Sequence, residues 1–330
     1  DIYKNKFISK FNLINFISYI LYFPQLIAGP ILRPNELIPQ LKAPQKKLNN
    51  FLFPITLFTI GLVKKVVFAD YISNYVDIVF SNEIITNNFL NTLLAVYGFS
   101  MQIYCDFSGY TDMAIGSSLL LGINLPNNFL SPYRSTSLTD FWRNWHITLS
   151  NFLKDYLYIP LGGNRFGFLS QARNLFTTMV IGGLWHGASW GFIIWGALHG
   201  LGLSILSLKR KLLKNNFLIP RSIGIFLTFN FVTFSWIFFR ANSLEKAYEI
   251  FNQLSKFNLD ELGPFISTNI FAITLIVIFI LSHKWDNHNY IKNFSNTIPK
   301  QILIPILFFL WLLVISFLSE SSGSFIYFDF

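Results

Sequence analysis

The chain has few charged side chains and a single cysteine. Charged residues make up 12% of its 330 residues, about half of the roughly 25% that is usual in a soluble domain. Because Cys105 is the one cysteine, a disulfide within the chain and a cluster of thiolate metal ligands are both excluded. No internal repeat and no low-complexity linker divides the sequence. These absences argue against an ordinary cytosolic enzyme, a disordered linker protein and a disulfide-stabilised scaffold.

What the chain has instead is apolar and aromatic surface. Hydrophobic residues make up 52% and aromatic residues 18%, including 38 Phe. A chain this apolar cannot hide its surface from water as a monomer, so we expect the lipid bilayer to be its environment. The net charge of +9 would suggest nucleic acid as a partner of a soluble protein. Here the basic residues lie at the ends of apolar runs, which is typical of cytoplasmic loops, and nucleic acid is not expected as a partner.

Eight uncharged runs predict the membrane spans, since a transmembrane helix needs about 20 apolar residues. The runs are Phe11–Leu32, Leu48–Val63, Ile84–Cys105, Met113–Tyr133, Asn174–Leu208, Ser222–Phe239, Leu262–Ser282 and Gln301–Ser319. The fold class predicted from them is all-α, a polytopic transmembrane helical bundle.

Two features predict that some of these helices are broken. The run Asn174–Leu208 would extend about 52 Å as one helix, against a hydrocarbon core of about 30 Å. Gly182, Gly183 and Gly187 lie in its interior, so we expect two helical pieces that meet inside the membrane. Prolines interrupt the first run at Pro24 and close the fourth at Pro132. Broken helices are tolerated at membrane depth where protein or a water-filled cavity surrounds them, which indicates an internal chamber.

Basic residues predict the orientation of the loops. The stretch from Lys209 to Arg221 contains no acid and is predicted to face the cytoplasm, as is the stretch from Arg33 to Lys47. Three stretches are predicted to lie outside: the one with Asp70, Asp77 and Glu83, the balanced loop from Arg240 to Glu261, and the tail after Ser319, which contains only acids. Lys64 and Lys65 conflict with this scheme, because they stand at the predicted external end of their span.

Ionisable residues inside a membrane are costly and mark candidate sites. His186 lies between glycines and about 18 Å along a helix from Arg173, which predicts a position near mid-membrane. Flanking glycines leave room for a ligand, although a buried histidine bonded to a backbone carbonyl has the same signature.

His146 follows a Trp- and Arg-rich segment. On one continuous helix, Asp140, Arg143 and Lys154 share a polar sector, and His146 falls outside it, beside Trp142 and Leu149. This predicts an amphipathic helix near the interface with His146 turned toward the protein, and an interfacial anchor is the alternative. His199, His283 and His288 are predicted to be structural or solvated, and no carboxylate–histidine cluster indicates a metal.

Seven motifs in order resemble the membrane-bound O-acyltransferase family, and within it the bacterial branch that O-acetylates alginate and other exported polysaccharides. They are Tyr22–Pro30, Gln102–Ile115, Phe141–His146, Asp155–Arg165, Leu184–Gly187, Phe238–Ala241 and Phe325–Phe330. The resemblance implies one membrane domain over residues 1–330, with several of the family's N-terminal spans expected before it.

The resemblance also implies a site and a reaction. It places the catalytic residues at His186 and His146, with no bound cofactor, and acetyl-CoA or another acyl thioester as the donor. Arg143 and Arg165 are candidates for contacting donor phosphates, and Asn144, Trp185, Asp106 and Ser108 for lining the site. The acceptor implied is an exported polysaccharide, often reached through a periplasmic partner protein of the acetyltransferase or esterase type, at the inner membrane.

Three alternatives stay open at the level of the sequence. Two of them lie within the family: D-alanyl transfer to teichoic acid, and acylation of a lipid or protein. Outside it, a non-catalytic transporter would use the same chamber with the histidines as a proton relay. Tyr327, in the predicted external tail, is either an acyl relay or an aromatic anchor at the membrane surface.

Overall fold

The protein is described by a computed structural model that covers residues 12–43, 50–81, 88–213 and 219–318. Within these ranges the chain forms helices and turns and no strand. The all-α prediction is therefore confirmed.

Fourteen α-helices follow one another in the described ranges, joined by short 3₁₀ and π-helical segments. They are α1 Leu13–Ile20, α2 Pro34–Lys42, α3 Leu52–Val63, α4 Tyr71–Phe80, α5 Phe89–Leu120, α6 Leu138–Asn144, α7 Ile147–Leu153, α8 Gly167–His186, α9 Trp190–Leu213, α10 Arg221–Arg240, α11 Leu244–Ser255, α12 Leu262–Ser282, α13 His288–Thr297 and α14 Lys300–Phe317.

Several of these helices are long and apolar enough to cross a membrane. In the described part of the chain, five stretches meet this condition: Leu52–Phe80, Trp190–Leu212, Arg221–Arg240, Leu262–Trp285 and Lys300–Phe317. The last three coincide with runs predicted from the sequence. The bundle is thus polytopic, as the uncharged runs indicate.

The two predicted spans Ile84–Cys105 and Met113–Tyr133 are wrong as separate elements, because α5 joins most of the first to the beginning of the second and ends at Leu120. This helix has 32 residues and extends about 48 Å. Asp106 and Asp112, which separated the runs in the sequence, lie inside α5 and are 2% and 3% exposed. Helix α5 is the centre of the bundle and packs against α3, α4, α10 and α12, so its acids lie in protein and not in a loop.

The predicted end of the second span at Val63 is also wrong. Helix α3 passes into a π-helical segment, Lys64–Asp70, and then directly into α4. Lys64 is 12 residues from Leu52, about 18 Å along the helix. The two lysines therefore lie in the middle of a span, which removes their conflict with the predicted loop orientation.

The predicted break in the run Asn174–Leu208 is confirmed. Helix α8 ends at His186, and α9 begins at Trp190 and returns alongside it. The two axes approach closely at glycines: a Cβ on Gly183 would lie 2.2 Å from the Phe192 carbonyl oxygen, and one on Gly196 would lie 2.4 Å from that of Met179. Only glycine fits at these two contacts, so the small residues fix the register of an antiparallel helical hairpin.

Polar contacts join loops that the charge pattern assigns to one side of the membrane. Arg240 pairs with Asp77 at 2.7 Å, and both were assigned to the outside. Asn88 donates to Glu261 at 3.1 Å, also among residues on that side. Arg33 pairs with Asp155 on the opposite side. The bundle therefore has the two faces expected, and the assignment of the basic face to the cytoplasm stays a prediction.

Candidate functional site

His186 is the last residue of α8 and stands at the turn of the α8–α9 hairpin. Its ring centroid lies 5.1 Å from that of Phe239 and 5.5 Å from that of Trp195. Phe239 is one residue before the end of α10, so His186 lies further toward that end of the bundle than the depth estimated from Arg173. The side chain is partly exposed, and a ligand can reach it.

A cavity of about 470 Å³ lies beside this turn. Its walls come from the hairpin turn and from the segment that leads into α11, and they include Leu184, Ser189, Trp190 and Asn242. The cavity includes Ala241, the residue after Arg240, and so lies toward the end of the bundle that is predicted to be external.

The sequence predicted that His146 lies within one amphipathic helix, and this prediction is wrong. Helix α6 ends at Asn144, and α7 begins at Ile147. His146 joins them with φ of +42°, a left-handed conformation that is uncommon for a residue other than glycine. Such strain costs about 1–3 kcal/mol and is concentrated at functional sites. The prediction that His146 faces the protein is confirmed, since it is 4% exposed.

Asn128 fixes the orientation of the His146 ring. The Thr148 backbone N–H donates to Asn128 Oδ1 at 3.2 Å, which identifies this atom as the acceptor. His146 Nδ1 lies 3.2 Å from the same oxygen, so in the neutral ring Nδ1 carries the proton. The lone pair is then on Nε2, the arrangement that a general base requires.

Both histidines border one aromatic cluster. Phe107 of α5 packs edge-on against His146 with 4.7 Å between the ring centroids. Trp145 packs on Trp236, which packs on Trp195 next to His186. We call His146, His186 and these surrounding rings the histidine site.

A hydrogen-bond donor in this site has no partner among the described residues. The indole of Trp195 is 2% exposed, and its Nε1–H is left unsatisfied by the protein. A buried unpaired donor costs about 1–3 kcal/mol, so the site is suited to a ligand with an acceptor oxygen.

The other predicted site residues divide into two groups. Trp185 is adjacent to His186, with 5.2 Å between their rings. Asn144 lies in the α6 turn and donates to the Asp140 carbonyl at 2.9 Å, and Arg143 and Arg165 are exposed. None of these three belongs to the rings that surround His146 and His186, and their predicted roles stay predictions.

Asp106 and Ser108 lie within α5 on either side of Phe107. Asp106 pairs with Lys65 at 2.8 Å, and Lys65 also pairs with Asp70 at 2.7 Å. The Ser108 hydroxyl is buried and has no hydrogen-bond partner among the described residues. Asp106 thus belongs to an ion-pair chain and its predicted role in lining the site stays a prediction, as does that of Ser108.

The sequence analysis missed a larger ionic network, which we call the Lys64 network. The Lys64 ammonium pairs with Asp112 at 2.7 Å and with Asp286 at 2.6 Å. Tyr104 donates to Asp286 at 2.6 Å, and His288 Nε2 lies 2.7 Å from Asp112. The conflict of Lys64 with the charge pattern was the signal that could have revealed it.

The remaining histidines have protein partners. His199 accepts at Nδ1 from the Trp142 indole at 3.2 Å, and its Nε2 lies 2.9 Å from the Ser235 hydroxyl. His283 is 3% exposed, and His288 belongs to the Lys64 network. His199 has the structural role predicted for it. Tyr327 lies outside the described residues, so its role stays a prediction.

Comparison with known proteins identifies the family. The family model for the membrane-bound O-acyltransferases matches residues 4–245. The chain is 46% identical over 249 residues to the peptidoglycan O-acetyltransferase of Helicobacter pylori, covering 73% of this chain and 47% of that protein. It is 39% identical over 304 residues to the probable alginate O-acetylase AlgI of Pseudomonas putida, covering 91% and 61%.

A more distant relative broadens the range of acyl groups. The teichoic acid D-alanyltransferase of Bacillus subtilis is 30% identical over 247 residues, covering 68% of this chain and 60% of that protein. The chain belongs to the membrane-bound O-acyltransferase family, and the resemblance seen in its motifs is confirmed. It spans about half to three fifths of the length of the relatives that it matches.

Proposed function

We propose that this chain is part of an inner-membrane enzyme that transfers an acetyl group from acetyl-CoA in the cytoplasm to hydroxyl groups of an exported polysaccharide, directly or through a periplasmic partner protein. The observation that supports this most is the histidine site, in which two imidazoles from different elements border one cluster of aromatic rings. The two O-acetyltransferase relatives, which are more identical to the chain than the D-alanyltransferase, favour acetyl as the group.

The chemistry follows from the residues of the site. An acceptor hydroxyl attacks the thioester carbonyl carbon, a C–O bond forms, the C–S bond breaks, and the hydroxyl proton ends on the sulfur of the leaving thiol. A neutral imidazole of His186 can accept that proton and return it, which typically contributes about 10²- to 10⁴-fold. His146, oriented by Asn128, is the second base in the same site.

The surrounding side chains have two further roles in this proposal. The unsatisfied Trp195 Nε1–H can donate to the carbonyl oxygen as negative charge develops on it. The rings of Phe107, Phe239 and Trp195 keep bulk water away, which protects the acyl group from hydrolysis. Donor phosphates would meet the exposed Arg143 and Arg165 at the basic face, and the acceptor would enter from the cavity beside the hairpin turn.

Tyr327 extends the proposal to the external tail. Its phenol would take the acyl group covalently before the polysaccharide or the partner protein does, which divides one long transfer into two shorter ones. A phenol with a pKa of about 10 is a weak nucleophile at pH 7, so this step needs a nearby base. An aromatic anchor is the competing role.

A reaction in micelles separates transfer from transport. The full-length protein in detergent, supplied with radiolabelled acetyl-CoA and a soluble polysaccharide acceptor, is expected to form labelled ester. A transporter would leave the thioester intact. Labelled D-alanine or long-chain thioesters in parallel reactions distinguish acetyl transfer from D-alanyl transfer and from lipid or protein acylation.

A further inference from the structure

An apolar groove of about 600 Å³ lies on the side of the bundle away from the hairpin turn. Helices α5, α10 and α12 form its walls, and it runs from mid-span toward the basic face. Its lining includes Tyr97, Ile225, Phe226, Phe229, Ile280 and Leu281. Phe226 is 65% exposed and Leu281 64%, which is expected for side chains that face hydrocarbon.

Basic side chains stand at the end of the groove near the start of α10. Arg134 and Lys284 line it there, and Arg221 is the exposed first residue of α10. Arg134 and Lys284 form no ion pair with a carboxylate in the described part of the chain, and Lys284 instead lies 3.9 Å from the centroid of the Trp285 ring. Their positive charge is therefore available to an anion.

The beginning of α10 adds backbone donors. This helix of 20 residues starts after Pro220 without a side-chain cap, and Ser222 in its first turn lines the groove. Gly224 packs against Thr136, where a Cβ would lie 2.9 Å from the Thr136 carbonyl oxygen, so the segment that carries Arg134 is held against this turn. Uncapped N–H groups and the helix dipole favour an anion at this end.

His283 supplies an independent indication of a ligand. It is 3% exposed and lines the same groove. The Tyr133 backbone N–H donates to its Nε2 at 3.1 Å, so the proton of the neutral ring is on Nδ1. That N–H has no partner among the described residues. The ring also borders a cavity beside Lys64 and Asp286, so the wall between this cavity and the groove contains an unsatisfied donor.

We propose that this groove binds an anionic phospholipid, with the phosphate between Arg134, Lys284 and the N-terminus of α10, and an acyl chain along Phe226 and Ile280. The apolar walls favour a lipid over a soluble anion, because a free phosphate leaves them without a partner. Anionic lipids are concentrated in the cytoplasmic leaflet, the side to which the charge pattern assigns this end of the bundle. This site is separate from the histidine site and does not depend on the acyl-transfer proposal.

The test measures lipid retention and not activity. The full-length protein is reconstituted in nanodiscs of equal phosphatidylglycerol and phosphatidylcholine, released, and analysed by native mass spectrometry for bound lipid. The wild-type protein is expected to retain phosphatidylglycerol preferentially. Arg134→Gln and Lys284→Gln should each lower the ratio of phosphatidylglycerol to phosphatidylcholine about fivefold, since each cation contributes on the order of 1 kcal/mol near an anionic surface.

Lys300→Gln is the matched control, because Lys300 is exposed at the start of α14 outside the groove. The ratio of bound phosphatidylglycerol to phosphatidylcholine in Lys300→Gln should equal that of the wild type. The proposal is overturned if the ratio is unchanged in the Arg134→Gln, Lys284→Gln double variant, or if it falls as far in Lys300→Gln. Displacement of the lipid by acetyl-CoA at low concentration would assign the site to the phosphates of a soluble donor and would also overturn it.

Discussion

Two buried polar regions of this bundle are built in opposite ways. In the Lys64 network, the lysine, both aspartates and the tyrosine lie within 2.6–2.7 Å of their partners. In the histidine site, the walls are aromatic rings, His186 is partly exposed, and the Trp195 indole N–H has no partner in the described chain. The fully paired charges of the Lys64 network connect helices and stabilise the fold. The histidine site contains a polar atom without a partner, which a ligand can satisfy.

The largest expected effect in this comparison comes from His186→Ala. The variant should lose acyl transfer, by about 10²- to 10⁴-fold if general-base catalysis is its main role, while it inserts and accumulates as the wild type does. His199→Gln is the control, because His199 is hydrogen-bonded on both nitrogens and contributes no open base. Transfer above a few per cent of wild type in His186→Ala would remove His186 from the mechanism.

Tyr327→Phe tests whether a further group takes part. The change keeps the ring, and so any anchoring, but removes the hydroxyl. If Tyr327 carries the acyl group, transfer to polysaccharide in the variant should fall to the residual rate of direct attack. A labelled tail peptide should be found in digests of the wild-type reaction and be absent from those of Tyr327→Phe. Phe328→Leu serves as a control for loss of aromatic surface. A Tyr327→Phe enzyme as fast as wild type means that the tail is only an anchor.

Lys64→Met tests whether the Lys64 network stabilises the fold. Removal of the ammonium leaves the carboxylates of Asp112 and Asp286 buried without their cation, which should lower the free energy of unfolding by about 3–5 kcal/mol. Thermal unfolding in detergent measures this loss. Asp112→Asn and Asp286→Asn added to Lys64→Met should recover part of it. An unchanged midpoint in Lys64→Met would show that the network is not structural.

Asn128→Leu is expected to have a smaller effect on rate. Without the acceptor for Nδ1–H, the His146 ring loses its fixed orientation and its tautomer. Loss of a partner that orients a metal-bound histidine typically costs about 10- to 100-fold. We expect a loss of similar size here, in kcat with KM unchanged. Asn128→Asp keeps the acceptor and should recover much of the rate. Equal losses in both variants would show that Asn128 only supports packing.

The sequence predicted the helical class, the break between α8 and α9, and the family, because long apolar runs, paired glycines and ordered motifs are local signals. It could not predict that α5 is one helix. The spans were predicted from uncharged runs, and the charged residues Asp106 and Asp112 interrupt such a run. Their partners, Lys64, Lys65 and His288, are distant in the chain. The role of Asn128 was invisible for the same reason: it contacts His146 only because residues 128–130 pack along the turn between α6 and α7.

The most direct test of the central claim, transfer through the histidine site from one face of the membrane to the other, offers radiolabelled acetyl-CoA to sealed vesicles. Inverted vesicles that contain the full-length wild-type protein and enclose a polysaccharide acceptor should consume the thioester and accumulate labelled ester inside. Right-side-out vesicles and inverted vesicles with His186→Ala should not. Equal ester formation from both vesicle orientations, or from the His186→Ala protein, would contradict the account.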